Sequence, residues 1–598
     1  MTTVSVRTDT HEVALNYDDV RFQATLSLET LEPGVHIIHL TAWTDVPVIP
    51  PVLTLSFVHP ARDIHASWHP SLNRNNSFHA DWMRKLRSNA ATSAPVFSLM
   101  NASSRNRLTF AFSDALNTVL YTGCIREESA EFLCSIQLFT EESAPIAEYQ
   151  AALRIDTRDL LYFECLKEVQ EWWSRMPEYS PASIPKLAKS PMYSTWYSMH
   201  QEVTAARIEQ QCRIAKELGM STVIVDDGWQ TGDNRRGYAY TGDWEAYEGK
   251  FPDMRHHVDT VHKLGMKLIL WYSVPFIGQH SKAWERFKDK ILRFSEGQGA
   301  GVLDPRYPEV REYIIGKYEQ AVREWDLDGF KLDFVDAFYS SESTSVSVTE
   351  GRDIHSIPEA VDRLLSDSIG RLRQLKPDIM VEFRQTYIGP AMRKYGNMLR
   401  ASDCPNDSIQ NRVRTNDIRL LCGDTAVHAD MIMWHEKEPV ESAALQLINT
   451  LFSVPQISVL LDRLPPEHKR MLHYWLTLWN DYREVLLNGK LEPMNPELLY
   501  PLVRASQGDV SLIAVYSDVV VPLSTNEGRI REWVVVNGRL RDGVYIEVSE
   551  SIGPAEVELR TCCGDPIGAY ELELSVGIHK LAIPPAGIGR LSLPNMSI

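Results

Sequence analysis

The segment Gly329-Phe330-Lys331-Leu332-Asp333-Phe334 places a lysine and an aspartate two residues apart on a short apolar run that follows the turn signal Asp328-Gly329. On a strand, residues two apart project from the same face, so an ammonium and a carboxylate leave the scaffold together. A carboxylate kept ionised by a neighbouring cation is a candidate nucleophile. Two other apolar runs also end in acid, Val223-Ile224-Val225-Asp226-Asp227-Gly228-Trp229 and Leu399-Arg400-Ala401-Ser402-Asp403. Paired acceptors at Asp226 and Asp227 beside the Trp229 indole suit a polyol that offers hydroxyls and an apolar ring face. Asp403 would be the second carboxyl that displacement at a sugar carbon needs, protonating the departing oxygen while Asp333 attacks. Asp336 and Asp407, close behind, read as loop and helix caps.

The elements that must carry these residues alternate. Strand-like runs occur at 193–199, 222–226, 267–273, 329–334, 379–384, 397–403, 426–433 and 456–461, with helical periodicity near 202–218, 255–265 and 282–295. Eight such units over about 290 residues predict a (β/α)8 TIM barrel, whose chemistry sits on the loops after the strands' C-terminal ends. Other strand-end residues then become candidates for substrate contact: Arg384 as a donor to hydroxyls, Trp196, Trp271 and Trp434 as stacking faces, and His428. Residues 1–175 show period-two runs broken by Pro, Gly, Asn and Ser, the pattern of a β-sandwich. Prolines 177, 181, 185 and 191 mark a linker, the barrel is expected over 190–488, and prolines 493, 496 and 501 precede a C-terminal antiparallel β domain over 495–598.

Length and composition exclude some classes. At 598 residues the chain needs more than one core. With 61 Lys and Arg against 79 Asp and Glu, a formal charge of −18 and no basic cluster, a nucleic-acid partner is excluded. No run of about 18 apolar residues occurs, so no membrane span is expected. Eight scattered cysteines without a CxxC pair, and a first segment lacking a basic and then apolar leader, predict a reduced, cytoplasmic setting.

In order along the chain, the runs DDGWQ, Gly242-Asp243-Trp244, FPDM, HKLGMKLILWYS, DPRYPEVREYI, DGFKLDF and Ser402-Asp403 resemble the barrel of glycoside hydrolase family 36, the α-galactosidase and raffinose-synthase group. The resemblance covers about 190–410, and the β–barrel–β layout is similar too. It implies a retaining double displacement with Asp333 as nucleophile and Asp403 as general acid/base. It also implies that Asp226, Asp227 and Lys331 hold the axial O4 and neighbouring hydroxyls of a galactose-like ring. Two features depart from the family's pattern. Glu382-Phe383-Arg384 stands where a Cys and a glycine-rich run precede an Arg, and Ser402-Asp403-Cys404-Pro405-Asn406-Asp407 is one residue longer between its acids than the usual SDNTD.

The leading expectation is therefore an exo-acting retaining α-galactosidase-type hydrolase with a glycoside or oligosaccharide as partner, no metal or organic cofactor, and self-association left open. Transfer to a sugar acceptor and an α-N-acetylgalactosaminidase are alternatives within the same chemistry. From another class come a metal-dependent barrel enzyme with Asp226, Asp333, His428 and Asp430 as ligands and Lys331 as base, and a sugar-binding protein without turnover.

Overall fold

The computed structural model describes residues 1–594 apart from 142, 340–349, 385–387, 524 and 526–528. At its centre eight parallel strands run Met192–Ser194, Thr222–Val225, Lys267–Ser273, Gly329–Asp333, Met380–Arg384, Met398–Arg400, Ala426–His428 and Gln456–Ile457, hereafter barrel strands 1 to 8. Each pairs in parallel with its neighbours from strand 1 to strand 7, and strand 8 pairs with strand 1. Strands 7 and 8 meet through the bridges His428↔Val454 and Ile432↔Ile457, which close the ring. All eight expected strands are present. Several stop earlier than their apolar runs: strand 1 gives way at once to the helical turn Trp196–Met199, and strand 6 ends at Arg400, leaving Asp403 on the loop beyond it.

Helices Ala205–Glu217, Met254–Lys263, Pro308–Trp325 and Ile357–Leu375 wrap the outside. The helix expected near 282–295 is absent. Only Trp284–Phe287 makes a helical turn, and Ile291–Ser295 pairs antiparallel with Ala300–Leu303, which pairs in turn with Phe276–Gly278. The apolar spacing of that segment fits a helix, but the glycines at 297 and 299 favour a hairpin, with Gly299 at φ +64°.

Alternation along the strands splits the barrel interior into two levels. At the base Met192, Ile224, Ile269, Met380, Met398 and Ala426 close on Ala188 and form an apolar plug. Two residues on, the same strand faces carry Asp226, Trp271, Lys331, Glu382, Arg400 and His428. Period two thus turns an apolar floor into a charged storey above it.

Before the barrel, two six-stranded sheets face each other across a core that includes Val13, Leu15, Ile38, Leu40, Leu55, Phe110 and Ile136, the expected sandwich. After it, a seven-stranded and a three-stranded sheet enclose Ile513, Val535, Ile546 and Val557. Their pairings are mostly antiparallel, with one parallel pair in each sheet. The proline-marked segment at 493 is strand rather than linker: Lys490–Met494 pairs with Leu502–Gln507 at the sheet edge, where a proline lacking an N–H is tolerated. No helix among the described residues is long and apolar enough to cross a membrane.

Candidate active site

Barrel strand 4 delivers Lys331 and Asp333 to the same face, as their spacing requires. The Lys331 ammonium crosses the interior to pair with Asp226 Oδ2, both groups being buried. Asp226 also receives the N–H of Asp227 at 2.9 Å, and its own N–H donates to Thr195 Oγ1 at 2.9 Å. Asp227 has a different environment, because its oxygens accept from the amides of Gln201 and Gln230, each at 2.7 Å, and among the described residues from no cation. Burial pushes its carboxyl up to about 6, with the two amides pulling the other way. The chain turns between the acids and the loop at Gly228, φ +110°, where a Cβ would lie 2.5 Å from Gln201 Cα. Only glycine fits there.

Several donors hold Asp333. Arg384 Nε donates to Oδ1 at 2.5 Å, the Phe334 N–H donates to the same oxygen at 2.8 Å, and Trp271 Nε1 donates to Oδ2 at 3.1 Å. Burial alone would raise this carboxyl; Arg384 and Lys331 outweigh it and hold Asp333 below the usual carboxylate range. Phe334 takes the left-handed conformation, φ 62°, so the chain leaves the strand sharply just after the acid.

Asp403 stands on the loop after strand 6 with 48% of its side chain exposed, and Arg400 Nη2 donates to its Oδ1 at 2.9 Å. Burial of its surroundings raises this carboxyl, but Arg400, Lys331 and Arg384 together drive it far below the ordinary range. Lys331 and Arg384 thus act on Asp333 and Asp403 alike, so the two acids share one electrostatic site.

Arg400 did not emerge as a candidate from sequence. It is fully buried, pairs with Asp430 through Nη1, and places Nε 3.6 Å from Glu382 Oε1. Its charge is reinforced by Asp403, Asp430 and Glu382 against the cost of burial. Burial raises the Asp430 and Glu382 carboxyls, and Arg400 opposes it in both. The available signal was register: Arg400 lies opposite Arg384 and His428, on the inward face of a strand whose neighbours carry acids. Gln201 and Gln230 escape the sequence reading because they sit in loops with no periodicity, and Tyr197, whose hydroxyl donates to Asp430 Oδ2 at 2.9 Å, because it lies on a single helical turn where a strand is expected.

Several expected contacts prove structural. Trp229 is wholly buried, donates to the Trp271 carbonyl at 2.9 Å and packs among Trp244, Tyr272 and Trp325. It cannot stack on a ligand, because the turn at Gly228 sends the indole back into the barrel wall. Trp434 is buried against the helix Pro466–Asp481, its N–H donating to His468 Nδ1 at 3.1 Å. His428 lies inside the barrel between the Ala188 carbonyl, 2.8 Å from Nε2, and the Gln456 amide, 3.1 Å from Nδ1. Burial lowers it to about 4, so it is a neutral core histidine. Trp271 is present at the site, as a donor to Asp333 rather than as an open face. Trp196 is half-buried against His200, with ring centroids 4.4 Å apart. Asp407 caps the helix Ser408–Arg419 by accepting from the Gln410 N–H at 2.9 Å. The four proposed metal ligands do not converge: Asp226, Asp333, Asp430 and His428 are each committed to the partners named above. Among the described residues no group of three His, Cys, Asp or Glu is arranged to hold a metal ion.

Residues 186–386 match the Melibiase family model. Among curated proteins, α-galactosidase 1 of Pediococcus pentosaceus is 26% identical over 146 residues, 23% of this chain and 20% of that protein. The α-galactosidase of Escherichia coli is 30% identical over 146 residues, covering the same shares. These matches span about a fifth of the relatives' length. Among solved structures, the family 36 α-galactosidase AgaA of Geobacillus stearothermophilus superposes with a TM-score of 0.66 at 15% identity, covering 98% of this chain and 83% of that one. The α-galactosidase of Lactobacillus brevis superposes with a TM-score of 0.63 at 14% identity, over 98% and 86%. Residues 186–386 of the barrel thus resemble the Melibiase family, and the fold of the chain is like that of the solved α-galactosidases.

Proposed function

We propose that this chain is a retaining exo-glycosidase that releases terminal α-linked galactose-type residues through a covalent glycosyl-enzyme. One observation carries the reading. Asp333 is held ionised by Arg384 and Lys331, with Trp271 and the Phe334 N–H as further donors, while the more open Asp403 stands under the same two cations.

In the first step an Asp333 carboxylate oxygen attacks the anomeric carbon. The bond to the leaving oxygen breaks, and that oxygen takes a proton from Asp403. In the second, Asp403 as carboxylate removes a proton from water, the hydroxide oxygen bonds to the anomeric carbon, and the ester to Asp333 breaks with net retention. Asp226, paired with Lys331, and Asp227, held by two amides, offer charged and neutral partners to ring hydroxyls. An axial O4 suits them, since a charged group left unpaired in a closed pocket is costly when a hydroxyl points elsewhere. Complexes of AgaA variants with raffinose and stachyose make α-galactosyl oligosaccharides the natural first substrates to try. Eight unpaired cysteines support a reducing, cytoplasmic setting.

The test is a screen of 4-nitrophenyl α- and β-glycosides, including the α-galactoside, α-glucoside and α-N-acetylgalactosaminide, with the product anomer followed by NMR. The α-galactoside should lead in kcat/KM and give α-galactose first. A preference for glucose would overturn the sugar assignment, and initial β-product would overturn retention.

A further inference from the structure

Arg400 is shared between two carboxylates of unequal freedom. Its Nη2 donates to Oδ1 of the exposed Asp403, whereas Nη1 pairs with Asp430, which is wholly buried. Asp430 is fixed on every side: Oδ2 accepts from the Tyr197 hydroxyl at 2.9 Å and from the Cys404 N–H at 2.6 Å, and its own N–H donates to Asn411 Oδ1 at 2.9 Å. Because Cys404 follows Asp403 directly, Asp430 grips both the side chain and the backbone that carry Asp403.

We propose that Asp430, through Arg400 and the Cys404 N–H, is the positioning residue of the acid/base, the fixed counter-ion that lets Asp403 gain and lose a proton while Arg400 stays paired. The inference rests on the hydrolase reading above. A general acid must be protonated when the substrate binds, yet a proton on Asp403 removes one of the charges that compensate a fully buried guanidinium, and an uncompensated buried charge is strongly unfavourable. The Asp430 carboxylate accepts from Arg400, the Tyr197 hydroxyl and the Cys404 N–H, all of which hold it in place. The groups facing Asp403 are Arg400, Lys331, Arg384, Asp430 and Tyr197. Those facing Asp430 are Arg400, Asp403, Tyr197 and Cys404. Beyond Arg400 stands Glu382, with His428 Nδ1 at 3.8 Å from it. Among the described residues, Asp430 is the acid beside Arg400 that also accepts from the backbone N–H next to Asp403.

The experiment compares pH profiles of kcat/KM for the full-length wild type, Asp430→Asn and Tyr197→Phe, using 4-nitrophenyl α-galactoside and melibiose. With Asp430 neutral, Arg400 leans on Asp403 and holds it ionised more strongly. The alkaline limb for melibiose should then move down by about one pH unit, and the ratio of nitrophenyl to melibiose activity at pH 7 should rise about tenfold. Tyr197→Phe, which removes one donor from Asp430, should move both in the same sense by less, and it decides the matter if Asp430→Asn does not fold. A folded variant with an unmoved limb and an unchanged ratio overturns the inference alone. A wild type that turns over no α-galactoside, or an Asp403→Asn variant that loses both substrates equally, overturns the hydrolase reading and this inference with it.

Discussion

Two buried carboxyl sites show how neighbours set a charge. At the barrel mouth Asp333 lies under Arg384 and Lys331 and stays ionised despite burial. Where the three parts of the chain meet, Asp417 on the helix Ser408–Arg419 is equally buried, but its bonded partners are neutral. Trp68 Nε1 of the first domain donates at 3.0 Å and the Tyr500 hydroxyl from beyond the barrel at 2.5 Å, both to Oδ1, while Oδ2 has no hydrogen-bond partner among the described residues. Burial pushes Asp417 up to about 6, with Tyr500, Trp68 and, more weakly, the charge of Arg414 pulling it back. Two neutral donors and an arginine that makes no ion pair with the acid do not offset desolvation; two cations close to the carboxylate do. The mouth therefore keeps Asp333 ionised, and the junction favours the protonated form of Asp417.

The largest effect that would break this comparison is at Asp333. Asp333→Ala should lower kcat by about 10⁴-fold or more, and azide should restore turnover with β-configured product, because the small anion fills the vacated space. Near wild-type activity without azide would make Asp333 a structural ion-pair partner like any other. Asp403→Asn should cost roughly 10²- to 10⁴-fold on melibiose and far less on the nitrophenyl substrate, whose leaving group needs no proton. Equal losses on both would remove Asp403 from the acid role.

Lys331→Met tests the cationic half directly. It leaves the buried Asp226 carboxylate without its cation and should destabilise the fold by roughly 3–5 kcal/mol in urea unfolding, with Lys331→Met/Asp226→Asn recovering much of that loss. A double variant no better than the single one would show that the pair is not energetically linked. The smallest effect belongs to the junction. A folded-state value near 6 against an ordinary 3.8 means that Asp417 keeps its proton in the folded chain where the unfolded chain has released it. Its contribution is therefore full below pH 3.8 and is lost as pH rises through 6. Asp417→Asn, which cannot ionise, should gain about 2 kcal/mol relative to wild type between pH 4.5 and pH 7. Thermal melts of both proteins across that range check it, and a difference independent of pH would show that Asp417 is ionised in the fold.

The architecture was legible because it rests on local pattern. Apolar runs such as Thr222–Val225 and Lys267–Ser273 are strands buried on both faces, and spacing alone put Lys331 and Asp333 on one side. The acids at the strand ends were legible for the same reason. Trp229, Trp434 and His428 were misassigned because an aromatic near a strand end looks the same whether its loop turns toward the mouth or into the wall. For Trp229 the turn at Gly228 made that choice. The segment at 282–295 was misassigned because helical spacing and a hairpin compete there, and the pairing with Ala300–Leu303 is not local.

Sequence by itself determined the order of elements, the barrel and the pair of carboxylates, since periodicity and turn chemistry act over a few residues. Only the tertiary structure decided which charges meet. Arg400 reaches Asp403, Asp430 and Glu382 through strand register and loop geometry, and Asp417 meets Trp68 and Tyr500 across 349 and 83 residues of chain. Electrostatic environment depends on distance in space and on exclusion of water, and neither quantity is written in the spacing of residues along a chain.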